Sequence, residues 1–91
     1  SLMNVEKKWD GLSIFLKSYY AGLNKGGDLF VYKEGLSNIN NGVTIFNGWV
    51  RQKQNVNIYD GGIKADGSDE TLKFQNYYNY CISQGIEIDL L

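Results

Sequence analysis

Residues 5–23 read VEKKWDGLSIFLKSYYAGL, and whether they coil or extend decides the fold. Val5, Trp9, Leu12, Leu16, Tyr19 and Leu23 recur at spacings of four, three, four, three and four. That recurrence describes one stripe of an amphipathic helix. Asn4 is a suitable start cap, and Asp10 is the alternative because Gly11 weakens the middle. Tyr20 sits beside the stripe, Phe15 lies near its edge and Ile14 points away from it. Lys25-Gly26-Gly27 ends the segment, since glycine supplies the left-handed conformation used at helix C-termini. The period predicts a first helix.

Outward from there the pattern turns β-like. Asp28 to Lys33 (DLFVYK) predicts a strand, and Glu34-Gly35 and Asn41-Gly42 predict turns. Gly42 to Val50 reads GVTIFNGWV. Asn47-Gly48 is a strong hairpin signal, because a type I′ turn needs positive φ at both central residues. That turn pairs Phe46 with Trp49. The alternative is a strand that bulges at Asn47-Gly48 and turns at Arg51 to Gln54. Val56 and Ile58 alternate with Asn55, Asn57 and Tyr59, which predicts a further strand ending at Asp60-Gly61-Gly62.

A second helix is expected after Asp66-Gly67. Ser68 is its cap, with Asp69 and Glu70 in the positive first turn. Phe74, Tyr77, Tyr78, Cys81 and Ile82 share one face, with Leu72 and Tyr80 off it, and Gly85 stops the helix. Ile86, Ile88 and Leu90 alternate with Glu87 and Asp89, the pattern of a half-buried strand. The expected fold is α+β in the order α-β-β-β(-β)-α-β, an antiparallel meander with two amphipathic helices packed on one face. One domain spans residues 3–91. Ser1-Leu2 ahead of Met3 reads as a cloning remnant.

Composition narrows function by exclusion. Hydrophobic residues make up 43% and charged residues 21% of 91 positions, a globular balance. There is no histidine, one cysteine, and thirteen aromatic residues of which seven are tyrosines. Without histidine the commonest general base and metal ligand is missing. Cys81 has no histidine to form a thiolate pair and suits a buried structural role. The net charge is −1, which disfavours nucleic acid, whose binding normally leaves a basic patch. Arg51 and Lys53 do stand in a stretch, Gly35 to Tyr59, that has no acidic residue.

Asp60, Asp66, Asp69 and Glu70 form the densest acidic cluster and are weak calcium candidates, since their spacing departs from the EF-hand template. Neither Gly26-Gly27 nor Gly61-Gly62 belongs to a phosphate-loop pattern. No cofactor is expected. A lone cysteine suits a reducing compartment, no apolar run reaches membrane-span length and no leader peptide is visible, so a cytoplasmic location is expected. The expected function is a small non-catalytic protein that binds another protein or a second copy of itself. Tyrosine and tryptophan favour such contacts, offering large rigid area with a polar tip. The candidate binding residues are Trp49, Arg51, Lys53 and Tyr59. The candidate self-association edge is Ile86, Ile88 and Leu90. One alternative is a nucleic-acid accessory factor using Trp49 to Lys53, and a further one is a small carboxylate-based hydrolase.

Overall fold

In the computed structural model, which describes residues 2–22, 24–53 and 55–85, the opening segment is not a helix. Its centre is strand β1 (Ser13–Ser18), followed by β2 (Gly26–Tyr32), β3 (Ile45–Phe46), β4 (Trp49–Arg51) and one α-helix, α1 (Thr71–Gln84). Leu12 and Leu16 stand an even number apart, so they satisfy a period of two as well as the helical period. Ile14, the misfit of the helical stripe, completes the strand reading. Ile14 and Leu16 turn inward, while Ser13, Phe15 and Lys17 turn outward. Gly11, at φ +90°, interrupts the backbone just ahead of the strand. Pairing then fixes the extended state, with Ile14 opposite Phe30 and Phe15 opposite Leu29.

Among the described residues the sheet has four strands in the order β1-β2-β4-β3, all antiparallel. It is therefore not a simple meander: β2 pairs with β4, and β3 lies outside β4. The expected fold of two helices on one sheet face is replaced by this sheet with a single α-helix among the described residues. The hairpin at Asn47-Gly48 is present, with Phe46 opposite Trp49 and positive φ at both turn residues, 49° and 94°. Asn41 prepares it, because its Oδ1 accepts the backbone N–H groups of Val43, Thr44 and Ile45 at 2.8–3.0 Å.

The strand expected over residues 56–60 is instead a 3₁₀ turn, Ile58–Gly61. Local side-chain bonds outcompete a ladder here. Asn57 Oδ1 accepts from Tyr59 N at 3.0 Å, and Asp60 Oδ2 accepts from Asn57 N at 2.8 Å. Helix α1 starts at Thr71, with Glu70 at the cap position rather than Ser68, and ends at Gly85 with φ 67°. The terminal strand expected from Ile86 onward lies outside the described residues, as do Leu23 and Gln54.

Two apolar clusters make the core. Phe30, Tyr32 and Trp49 pack under Leu2, joined by Val5, Leu12, Ile14, Leu16 and Phe46. Leu2 is thus a core residue. Val43, Ile58, Ile63, Tyr77 and Cys81 form the second cluster, which ties α1 to the 3₁₀ turn. Among the described residues no helix is long and apolar enough to cross a membrane.

Candidate interaction surfaces

The predicted binding residues fall into different environments. Trp49 is buried, edge-on to Tyr32 with ring centroids 5.2 Å apart. Arg51 is buried as well. Its Nε donates to Val43 O at 2.8 Å, one terminal nitrogen donates to Gly26 O at 3.0 Å and to Asp60 Oδ1 at 3.1 Å, and the other donates to Asp60 O at 3.1 Å. The guanidinium also lies over the Phe30 ring, 4.9 Å from its centroid. Burial lowers the Arg51 pKa from its ordinary value, opposed by the carboxylates of Asp60 and Asp28. Lys53 reaches Asp60 Oδ2 at 2.8 Å, and half-buried Tyr59 lies beneath Lys25. The hairpin does not offer Trp49 and Arg51 to a partner. Its inward parity turns both residues into the core, where Arg51 ties β4 to the loops around Gly26, Val43 and Asp60.

The acidic candidates do not converge. Asp60 is buried in the Arg51 network. Asp66 accepts from Ser68 Oγ at 2.6 Å, and Asp69 accepts from Thr71 Oγ1 at 2.7 Å. Those hydrogen bonds lower both pKa values from the ordinary 3.8. The Glu70 carboxylate accepts from the backbone N–H groups of Lys64 and Ala65. Each acid closes its own turn, and among the described residues no three of the metal-ligating types gather. Cys81 is a buried free thiol. Ile86, Ile88 and Leu90 lie outside the described residues.

Among the described residues two apolar surfaces remain open. The first is the outer face of the sheet. Phe15 opposes Leu29, and Val50 lies between Val31 and Ile45. Cross-strand partners share a face, so these five side chains form one surface. Phe15 is 68% exposed and Leu29 42% exposed. The second is the outer side of α1, where Leu72, Phe74, Tyr78 and Ile82 are exposed while Tyr77 and Cys81 face the core. The apolar stripe read from the sequence thus splits: Tyr77 and Cys81 point in, and Phe74, Tyr78 and Ile82 point out. A signal for the sheet surface did exist. The shorter runs Ile14-Phe15-Leu16 and Leu29-Phe30-Val31-Tyr32 are apolar at both parities, as in strands covered on both faces.

The chain belongs to the phage tail protein small four-stranded beta-sheet domain family, whose match spans residues 1–54 and so contains all four strands. Solved structures extend the likeness through α1. The tailspike protein of Acinetobacter phage vB_ApiP_P1 is 31% identical with a TM-score of 0.82, over 96% of this chain and 16% of that one. Pantoea stewartii WceF is 27% identical with a TM-score of 0.75, over 85% of this chain and 12% of that one. It is described as a glycan biofilm modifying enzyme with a tailspike-like parallel beta-helix fold. Tailspike protein 2 of an Escherichia coli O157:H7 bacteriophage is 30% identical with a TM-score of 0.68, over 92% of this chain and 12% of that one. The chain therefore spans only 12–16% of the length of these relatives. Comparison with curated proteins found no match. Membership of a phage tail family replaces the expectation of a small binding protein with no assigned role.

Proposed function

We propose that this chain is a non-catalytic packing module of a tailspike-like protein, acting through protein–protein contacts on the outer face of its sheet. The observation that carries this reading is the apolar outer face of the sheet, where Phe15 and Leu29 are exposed and Val31, Ile45 and Val50 are half-buried. Antiparallel sheets with one solvated face normally alternate apolar inside and polar outside. A contiguous exposed apolar patch marks an interaction site. The partner is another tail polypeptide or a second copy of this module. The nucleic-acid alternative draws no support from the hairpin, since Arg51 is buried and Lys53 is ion-paired. The hydrolase alternative draws none from the acids, which close separate turns.

Incorporation of the protein into assembled tails tests the reading. Phe15→Ser with Leu29→Ser is expected to lower incorporation at least tenfold, while the 91-residue chain keeps its circular dichroism and melting temperature. Full incorporation of the doubly substituted protein refutes it.

A further inference from the structure

The sequence holds two Asn-Gly pairs, Asn41-Gly42 and Asn47-Gly48, and the fold treats them differently. Asn-Gly favours attack of the glycine nitrogen on the asparagine side-chain amide, because glycine puts no Cβ in the way. The attack needs a free glycine N–H and an amide that can turn toward it. At Asn41-Gly42 both are held. The Gly42 N–H donates to Asn40 Oδ1 at 3.0 Å. Asn41 Oδ1 accepts the backbone N–H groups of Val43, Thr44 and Ile45, and Asn41 Nδ2 donates to Thr44 Oγ1 at 2.8 Å. Val43, the next residue along, is fully buried. At Asn47-Gly48 neither group is held. The Gly48 N–H has no acceptor among the described residues. Asn47 is exposed, and its amide makes two long contacts: Oδ1 accepts from Asn40 Nδ2 at 3.3 Å, and Nδ2 donates to Ser37 O at 3.4 Å. The adjoining strand β3 is two residues long and lies at the sheet edge, so the tip opens at low cost.

We propose that Asn47 is a site of spontaneous, irreversible deamidation, from which the fold protects Asn41. The Gly48 nitrogen gives up its proton and bonds to Asn47 Cγ. The Cγ–Nδ2 bond breaks, and Nδ2 leaves as ammonia with that proton. The product is a succinimide ring, which water then opens. Cleavage between the ring nitrogen and Cγ gives aspartate. Cleavage between the ring nitrogen and the Asn47 backbone carbonyl carbon gives isoaspartate. Water is the only co-reactant. Either product places a carboxylate, ionised at neutral pH, in the stretch from Gly35 to Tyr59 that has no acidic residue. Isoaspartate also adds a backbone carbon to the turn. Register in a hairpin is set by the turn, so the added atom draws Phe46 away from Trp49. Deamidation therefore ages the hairpin that carries Trp49 onto Tyr32.

Incubation of the 91-residue chain at mildly alkaline pH, in buffer and in urea, tests the proposal. Trypsin cuts after Lys33 and Arg51, so both asparagines lie in the peptide 34–51, and tandem mass spectrometry reads the amide-to-acid conversion at each. In buffer Asn47 is expected to convert at least tenfold faster than Asn41. In urea the two rates are expected to come within twofold, because the protection of Asn41 belongs to the fold. Equal rates in buffer, or faster conversion at Asn41, overturn the proposal. So does a tenfold difference that persists in urea, which assigns the preference to the local sequence. The isoaspartate form, separated by chromatography, is expected to unfold at lower urea concentration than the parent chain. An unchanged midpoint overturns the consequence drawn for the hairpin.

Discussion

The two faces of the same four strands carry almost equally apolar side chains and meet opposite fates. On the inner face Phe30, Tyr32, Trp49 and Arg51 are buried beneath Leu2 and the flanking loops. On the outer face Phe15 and Leu29 stand in solvent, with Val31, Val50 and Ile45 half-covered between the strands. Burial follows from what is stacked on a face and not from the apolarity of its side chains alone. The inner face also holds a buried charge, whose partners come from the start of β2, the segment at Val43 and the 3₁₀ turn at Asp60. The outer face has none of that network and relies on apolar area alone.

The contrast can be broken most forcefully at Arg51. Arg51→Ala leaves Asp60 buried without its main partner, and loss of one member of a buried pair costs about 3–5 kcal/mol. Urea unfolding is expected to shift accordingly, and Trp49→Ala by a similar amount through the cavity it leaves, about 3–5 kcal/mol. A loss below about 1 kcal/mol for both would show that the inner face is not the core.

Gly48→Ala comes next. The turn holds Gly48 at φ +94°, and a Cβ there would stand 2.6 Å from Tyr32 Cε1. A destabilisation of about 1–3 kcal/mol is expected from the left-handed backbone strain, read by the same unfolding curves. An unchanged midpoint would mean the hairpin is not seated on Tyr32.

Alkaline pH gives a smaller, graded effect. Burial raises the Tyr32 and Tyr80 hydroxyls above their ordinary value of 10.0. For Lys73 burial works the other way, but its hydrogen bond to Tyr19 and the nearby tyrosine charges carry it above 10.5. All three groups hold their protons more tightly folded than unfolded. Their contribution is complete below about pH 10 and is lost as pH rises through the raised values. The urea midpoint is therefore expected to fall as pH rises beyond about pH 10. A flat midpoint across that window would remove these three groups from the stability of the fold.

The smallest effect on stability is expected on the outer face. Phe15→Ser should change the unfolding free energy by no more than about 0.5 kcal/mol while weakening incorporation into tails. A large destabilisation would mean that Phe15 is already covered within the domain and that the two faces do not differ as described.

Some of this was legible in advance. Asn47-Gly48 announced its hairpin because only a few residue pairs tolerate positive φ twice in succession. Gly85 announced the end of α1 for a related reason. The strand DLFVYK needed only its apolar β-branched and aromatic run. The first segment was misread because its apolar residues satisfy two periods at once. The choice between them was made by β2, whose pairing with β1 is not visible in residues 5–23 alone. The strand expected at Val56 and Ile58 failed because Asn57 and Asp60 bind the local backbone themselves. Trp49 and Arg51 have the residue types of surface anchors, but the pleat turns both inward.

By itself the sequence determined where the chain must turn and which segments are apolar. Those properties are local, set by backbone sterics at glycine and asparagine and by hydropathy over a few residues. It also determined that histidine chemistry is absent. Only the tertiary structure decided that residues 13–18 extend, that β4 rather than β3 lies beside β2, and that one face of an apolar sheet and one side of an apolar helix remain open. Pairing and coverage depend on segments far apart in the chain, so the short-range pattern leaves them undecided.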